Sequence, residues 1–130
     1  MGKNKIVEYP IPTTCVYCNH EVVLTSNAEI YGREYGDGKV YLCRSCKASV
    51  GCHPGTIIPL GRLANQRLKN LKKLAHNYFD PIWKHKKRYR TECYKELAKK
   101  LEIPVEHCHF GWFDEPTLMR AIEILKRGLF

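Results

Sequence analysis

Apolar positions change their spacing near residue 60, and that change divides the chain. Before it, apolar residues come in short runs broken by turn formers. Residues 1–12 read as an extended arm, because Pro10 and Pro12 discourage helix. Residues 21–25 and 28–31 have the β-branched and aromatic content of short strands, Gly36-Asp37-Gly38 supplies a turn, and residues 39–42 and 48–52 continue the strand pattern. Residues 51–61, with Pro54, Gly55, Pro59 and Gly61, read as a hinge. Beyond it Leu60, Leu63, Ala64, Leu68, Leu71, Leu74, Ala75 and Tyr78 recur at helical steps. Arg62, Arg67, Lys69, Lys72 and Lys73 fall on the opposite, solvated face. Asp80-Pro81 is expected to end this helix and start another, with Asp80 as N-cap. Thr91 is placed to cap a helix over residues 92–101 that buries Tyr94, Leu97, Ala98 and Leu101. A bent link over residues 103–113 then leads to Asp114, the expected cap of a last helix. Its inward residues are Leu118, Ala121, Ile122 and Leu125, and Gly128 closes it.

Two Cys-x2-Cys pairs, Cys15 with Cys18 and Cys43 with Cys46, stand on either side of the predicted hairpin. Each pair bends its backbone round one metal ion, and together they complete a tetrahedral zinc site. Disulfides suit secreted chains, whereas the opening residues run into Ile6, Val7 and Glu8 without an apolar signal segment. The expected fold is therefore α+β: an N-terminal zinc ribbon of short antiparallel strands packed on a C-terminal lobe of three to four helices. The lobes are residues 1–61 and 62–130, forming one folded unit with one structural zinc ion. So small a first lobe buries too little apolar surface to fold without its metal. Four thiolates leave no open coordination position for water, which argues against hydrolysis at this ion. Cys52, Cys93 and Cys108 remain over as small buried apolar groups; free thiols point to a reducing cytoplasm. No apolar run approaches bilayer-spanning length.

The net charge of +9 is unevenly placed. Residues 1–61 hold six Lys/Arg and five Asp/Glu, residues 62–100 hold thirteen and three, and residues 101–130 hold three and five. Such asymmetry points to a polyanion, most directly DNA or RNA. Lys84, Lys86, Lys87, Arg88 and Arg90 lie beside Trp83, His85 and Tyr89 with no acidic residue from Pro81 to Thr91. Cations interleaved with flat rings suit phosphates and stacked bases, so Lys84, Lys86, Lys87, Arg88, Arg90, Trp83 and Tyr89 are the candidate nucleic-acid contacts. Tyr17, Asn19, Arg44 and Lys47 fall in or beside the knuckles, where a ribbon presents either contacts or plain surface.

His53, His76 and His109, with Asp80 and Asp114, are the candidates for chemistry. His76 and Asp80 are four apart and share a helix face, as a base and its orienter would. The simpler reading, a structural cluster of hydrogen-bonded packing residues between the lobes without turnover, is preferred. Nothing in the sequence shows convergence. No Gly-rich phosphate loop, Ser-His-Asp set or paired carboxylate motif is present.

Several motifs occur in order: Cys15-x2-Cys18, Ile30-Tyr31-Gly32, Cys43-x2-Cys46, Val50-Gly51-Cys52-His53-x-Gly55-Thr56, Pro59-Leu60-Gly61-Arg62-Leu63-Ala64-Asn65, Ala75-His76-x2-Phe79-Asp80-Pro81-x-Trp83 and Cys108-His109-x-Gly111-x-Phe113-Asp114. In this, the chain resembles the small zinc-finger-containing domain family of bacteria and their phages over about residues 13–125. The resemblance implies that both lobes form one unit. It places His53, His76, Asp80, Trp83, His109 and Asp114 on family motif positions, and it brings no catalytic role with it. The expected function is that of a zinc-binding accessory protein, cytoplasmic and contacting nucleic acid, phage-encoded if the resemblance extends to origin. The alternatives are a module binding a host or replication protein, and an enzyme using the His/Asp set.

Overall fold

A computed structural model describes residues 8–85 and 89–130, with His85 described by its backbone alone. Lys86, Lys87 and Arg88 lie outside the described residues, as does the start of the expected N-terminal arm. The chain divides into two compact units, Met1–Asn65 and Gln66–Phe130.

The first unit is built on three antiparallel strands in the order β1 (Val23–Ser26), β2 (Lys39–Leu42) and β3 (Ser49–Gly51). Val23 pairs with Leu42, and Tyr41 with Val50. Cys15, Val22, Tyr41, Cys43, Ala48, Val50 and Leu63 form its core, so Cys15 and Cys43 are part of the apolar interior, with Cys18 packed against it.

Two expectations fail in this unit. Residues 28–31 are a helical turn, α1 (Ala28–Tyr31), and not a strand. Asn27 decides this: its side-chain amide donates to the Tyr35 carbonyl at 2.9 Å and its Oδ1 accepts from the Tyr35 N–H at 3.1 Å. Ser26 Oγ meanwhile accepts from the Ala28 N–H at 3.0 Å. Such side-chain bonds to the backbone outcompete the β preference of Ile30 and Tyr31. Leu60, Leu63 and Ala64 are also not helical. Ser49 and Ala64 exchange both backbone hydrogen bonds, at 3.0 and 3.1 Å, which captures this stretch as a further bridge on β3. Leu63 turns into the first unit's core, whereas Leu60 is exposed.

The second unit contains α2 (Gln66–His85), α3 (Arg90–Leu101) and α4 (Glu115–Arg127), with two short 3-10 turns at Val105–His107 and Phe110–Trp112. Helix α2 continues through Asp80-Pro81 rather than ending there. Proline removes the amide that would bond Asn77; Asn77 and Pro81 are both exposed, so the orphaned carbonyl lies on the solvent side. The buried face is Leu68, Ala75 and Phe79, while Leu74 and Tyr78 are exposed. The apolar phase thus turns round the helix from the stripe expected, and Lys69 and Lys72 become half-buried. Helix α3 starts at Arg90 rather than after Thr91, and its N-cap Tyr89 has no capping side chain. Cys93, Leu97, Ala98 and Leu101 are buried there, with Tyr94 half-buried. Asp114 does cap α4, accepting from the Thr117 N–H at 3.0 Å, and Leu118, Ala121, Ile122 and Leu125 face inward as expected.

An aromatic cluster holds the helices. The Phe79 ring meets Phe110 edge-on at 5.3 Å and Tyr94 at 4.6 Å, and Phe110 meets Phe113 at 5.9 Å. These distances are within the range where edge-to-face and tilted ring pairs attract beyond their buried area.

Candidate metal centre

The two Cys-x2-Cys segments fold alike, hydrogen bond for hydrogen bond. Cys15 donates its N–H to the His20 carbonyl at 2.8 Å, and its own carbonyl accepts from Asn19 at 2.8 Å. Cys43 donates to Ala48 at 2.9 Å and accepts from Lys47 at 2.7 Å. The residue after each second cysteine is left-handed, Asn19 at φ 66° and Lys47 at φ 71°. This reversal turns each pair of sulfurs to one side.

The knuckles meet crosswise, Cys15 Sγ lying 3.5 Å from Cys46 Sγ and Cys18 Sγ 3.4 Å from Cys43 Sγ. All four sulfurs lie within 4.8 Å of one another, the one such metal-ligating group among the described residues. A tetrahedral ion with zinc–sulfur bonds of about 2.3 Å requires sulfurs about 3.8 Å apart. The set fits one metal ion, and four thiolates suit zinc.

The sulfurs differ in acidity. Backbone N–H groups, that of Cys46 foremost, hold the Cys43 thiol down to about 6. At Cys46 the Ala48 N–H pulls downward, but burial and the adjacent Cys15, Cys18 and Cys43 sulfurs push the thiol up to about 12. Four sulfurs so close cannot all ionise unless a cation sits among them, and a divalent ion removes that conflict. His20, to which the spacing of the cysteines gives no clue, places Nδ1 3.4 Å from Cys18 Sγ. Hydrogen bonds from outer residues tune ligand basicity in this way.

Two of the residues flanking the knuckles have structural partners. Tyr17 Oη donates to the Leu63 carbonyl at 3.0 Å. Arg44 forms a two-pronged pair with Glu29 at 3.0 and 2.9 Å, which holds the Glu29 carboxyl down to about 2. Asn takes the left-handed region at less cost than lysine does. Lys47→Gly is therefore expected to stabilise the zinc-loaded protein by about 1 kcal/mol, read as a rise in thermal midpoint. A midpoint that falls by that amount would show a Lys47 side-chain contact outweighing the strain.

Each histidine candidate has partners within its own unit. In the first unit, the His53 backbone N–H donates to the Ile58 carbonyl at 2.9 Å. In the second, His76 Nδ1 lies 3.6 Å from Asp80 Oδ1, which also accepts from Trp83 Nε1 at 3.2 Å, so these three side chains do gather. The His109 ring lies on Trp112 at 4.8 Å, and Asp114 serves as the α4 cap. Of the basic candidates, Lys84 Nζ is 5.4 Å from the Trp83 ring centroid, and Tyr89 is 81% exposed. The Arg90 guanidinium is 5.7 Å from the Trp83 ring and 5.3 Å from the Tyr94 ring. The part played by Tyr94 is not evident from sequence, where helical phase marks it only as buried. The described residues include no helix long and apolar enough to cross a membrane.

No curated protein and no solved structure matches this chain. A family model does, over residues 11–128, a span that contains both knuckles and all three long helices. With four cysteines gathered for one zinc ion inside that span, the chain belongs to the zinc-finger-containing domain family.

Proposed function

We propose that this zinc-binding protein is an accessory factor that contacts nucleic acid through the basic region of residues 62–100, the metal serving to fold the first unit. The carrying observation is the set of cations on rings where α2 ends and α3 begins: Lys84 and Arg90 at Trp83, and Arg90 again at Tyr94. Charges beside flat rings serve phosphates and stacked bases together. Thirteen Lys/Arg against three Asp/Glu in this region add the long-range attraction. On this reading the protein works in a cytoplasm, a bacterial host's if it is phage-encoded, where the thiols of Cys52, Cys93 and Cys108 stay reduced.

Reversing Lys84, Lys86, Lys87, Arg88 and Arg90 to Glu is expected to abolish retention of DNA and RNA while leaving the helical circular dichroism intact. For the unaltered protein, log affinity for duplex should fall linearly with log salt, by roughly 0.9 per phosphate neutralised. Failure to bind either DNA or RNA at low salt would overturn the proposal. The second reading, a protein-interaction module, would then lead; it is favoured by Val16, Ile57 and Leu60, exposed at 69%, 47% and 48% in the first unit. A protein partner that survives nuclease treatment is its test.

A further inference from the structure

A cleft of ≈350 Å³ opens in the second unit between the first turns of α3 and residues 105–109. Arg90, Tyr94 and Lys95 line it from α3, and His109 faces them, with Val105 and Cys108 giving apolar wall. None of the described residues lining it is acidic. We propose that this cleft holds one nucleotide, with its phosphate between Arg90 and Lys95 and its base against the His109 ring. The inference deepens the nucleic-acid reading and rests on it.

Three features select this ligand class. The Arg90 guanidinium is restrained in advance: it lies within 6 Å of both the Trp83 and the Tyr94 ring centroids, and its terminal nitrogen donates to Tyr94 Oη at 3.3 Å. A fork held this way gives up little freedom when it takes a phosphate. The His109 ring is exposed and backed by Trp112 at 4.8 Å, so it offers a supported face for a flat heterocycle. The volume lies at the small end of ligand cavities, which run from roughly 300 to 1,000 Å³, and admits one nucleotide rather than a run of them. The cleft binds and does not react through its thiol. Burial pushes Cys108 up to about 11, so it stays protonated and apolar at neutral pH.

The test uses the full-length, zinc-loaded protein titrated by NMR with adenosine 5′-monophosphate, adenosine and inorganic phosphate. The monophosphate should bind at least roughly tenfold more tightly than adenosine or phosphate, because charge-assisted bonds and stacking act together. Lys95→Glu, an exposed change outside the segment reversed above, should lose about tenfold for the monophosphate. His109→Ala should weaken the monophosphate and leave phosphate unchanged. A 5′-phosphorylated dinucleotide that displaces the monophosphate would place the ligand at a strand end; one that does not would restrict the cleft to free nucleotides. The proposal is overturned if the monophosphate fails to bind at millimolar concentration, binds no better than phosphate, or is bound equally by folded Lys95→Glu. Salt-dependent retention of DNA or RNA, measured in parallel, separates the two readings. Retention without monophosphate binding removes the cleft alone, and monophosphate binding without retention removes the strand-binding role alone.

Discussion

Cys43→Ser should cost the protein its zinc and most of the structure of residues 8–65. The Cys43 sulfur is fully buried, accepts backbone N–H bonds that favour the thiolate, and lies 3.4 Å from Cys18 Sγ. Serine at neutral pH supplies a protonated hydroxyl instead of that thiolate. Metal binding in small zinc domains is also folding free energy, on the order of 10 kcal/mol, so loss of one ligand removes the main source of order in this unit. Elemental analysis should fall from one zinc per chain to near none, and near-ultraviolet dichroism from Tyr41, buried at 3% exposure in this core, should collapse. Cys52→Ser is the control, because Cys52 lies beside the same core but outside the four-sulfur set, and it should keep its zinc. A reduced sample of the unaltered protein that is folded and metal-free would sink the assignment.

The second large effect is expected far from the metal. Phe79 is fully buried and touches both Tyr94 and Phe110, so it joins α2 to α3 and to the 3-10 turn that precedes α4. Phe79→Ala removes a ring that nothing nearby can replace, and such truncations cost about 3–5 kcal/mol. For a protein of this size that is a large fraction of the total. Urea denaturation of the full chain should show the loss in its midpoint with zinc content unchanged. Phe79→Leu, which keeps most of the volume, should lose roughly 1–2 kcal/mol. If both variants unfold at the midpoint of the unaltered protein, the aromatic cluster is not what holds these helices.

The metal site was legible from sequence because its signal is local: two residues between paired cysteines fix a backbone shape whatever surrounds them. Asp114 was legible for the same reason, since a cap acts within its own turn on Thr117. Two of the failures turn on non-local or competing bonds. Ile30 and Tyr31 have strand propensity, but Asn27 ties the chain to Tyr35 across eight residues. Ala64 fits a helical stripe, yet Ser49 holds it in a bridge. Pro81 looks like a helix boundary, and only the exposure of Asn77 shows why the helix survives it. The cleft beside Arg90 was equally hidden, because it needs α3 and residues 105–109 side by side.

The pairing of Val23 with Leu42 has one more consequence. The next residues along these strands are Val22 and Cys43, so the hairpin's alignment and the geometry of the four-sulfur set are one constraint. A slip of a single residue would send Cys43 to the opposite face of the sheet. The ion therefore proofreads the hairpin: only one alignment closes the tetrahedron, and misaligned pairings gain nothing from metal. Length changes between the knuckles are confined by the same logic to residues 27–38, the connection between β1 and β2, because insertions there leave the pairing of the two strands unchanged.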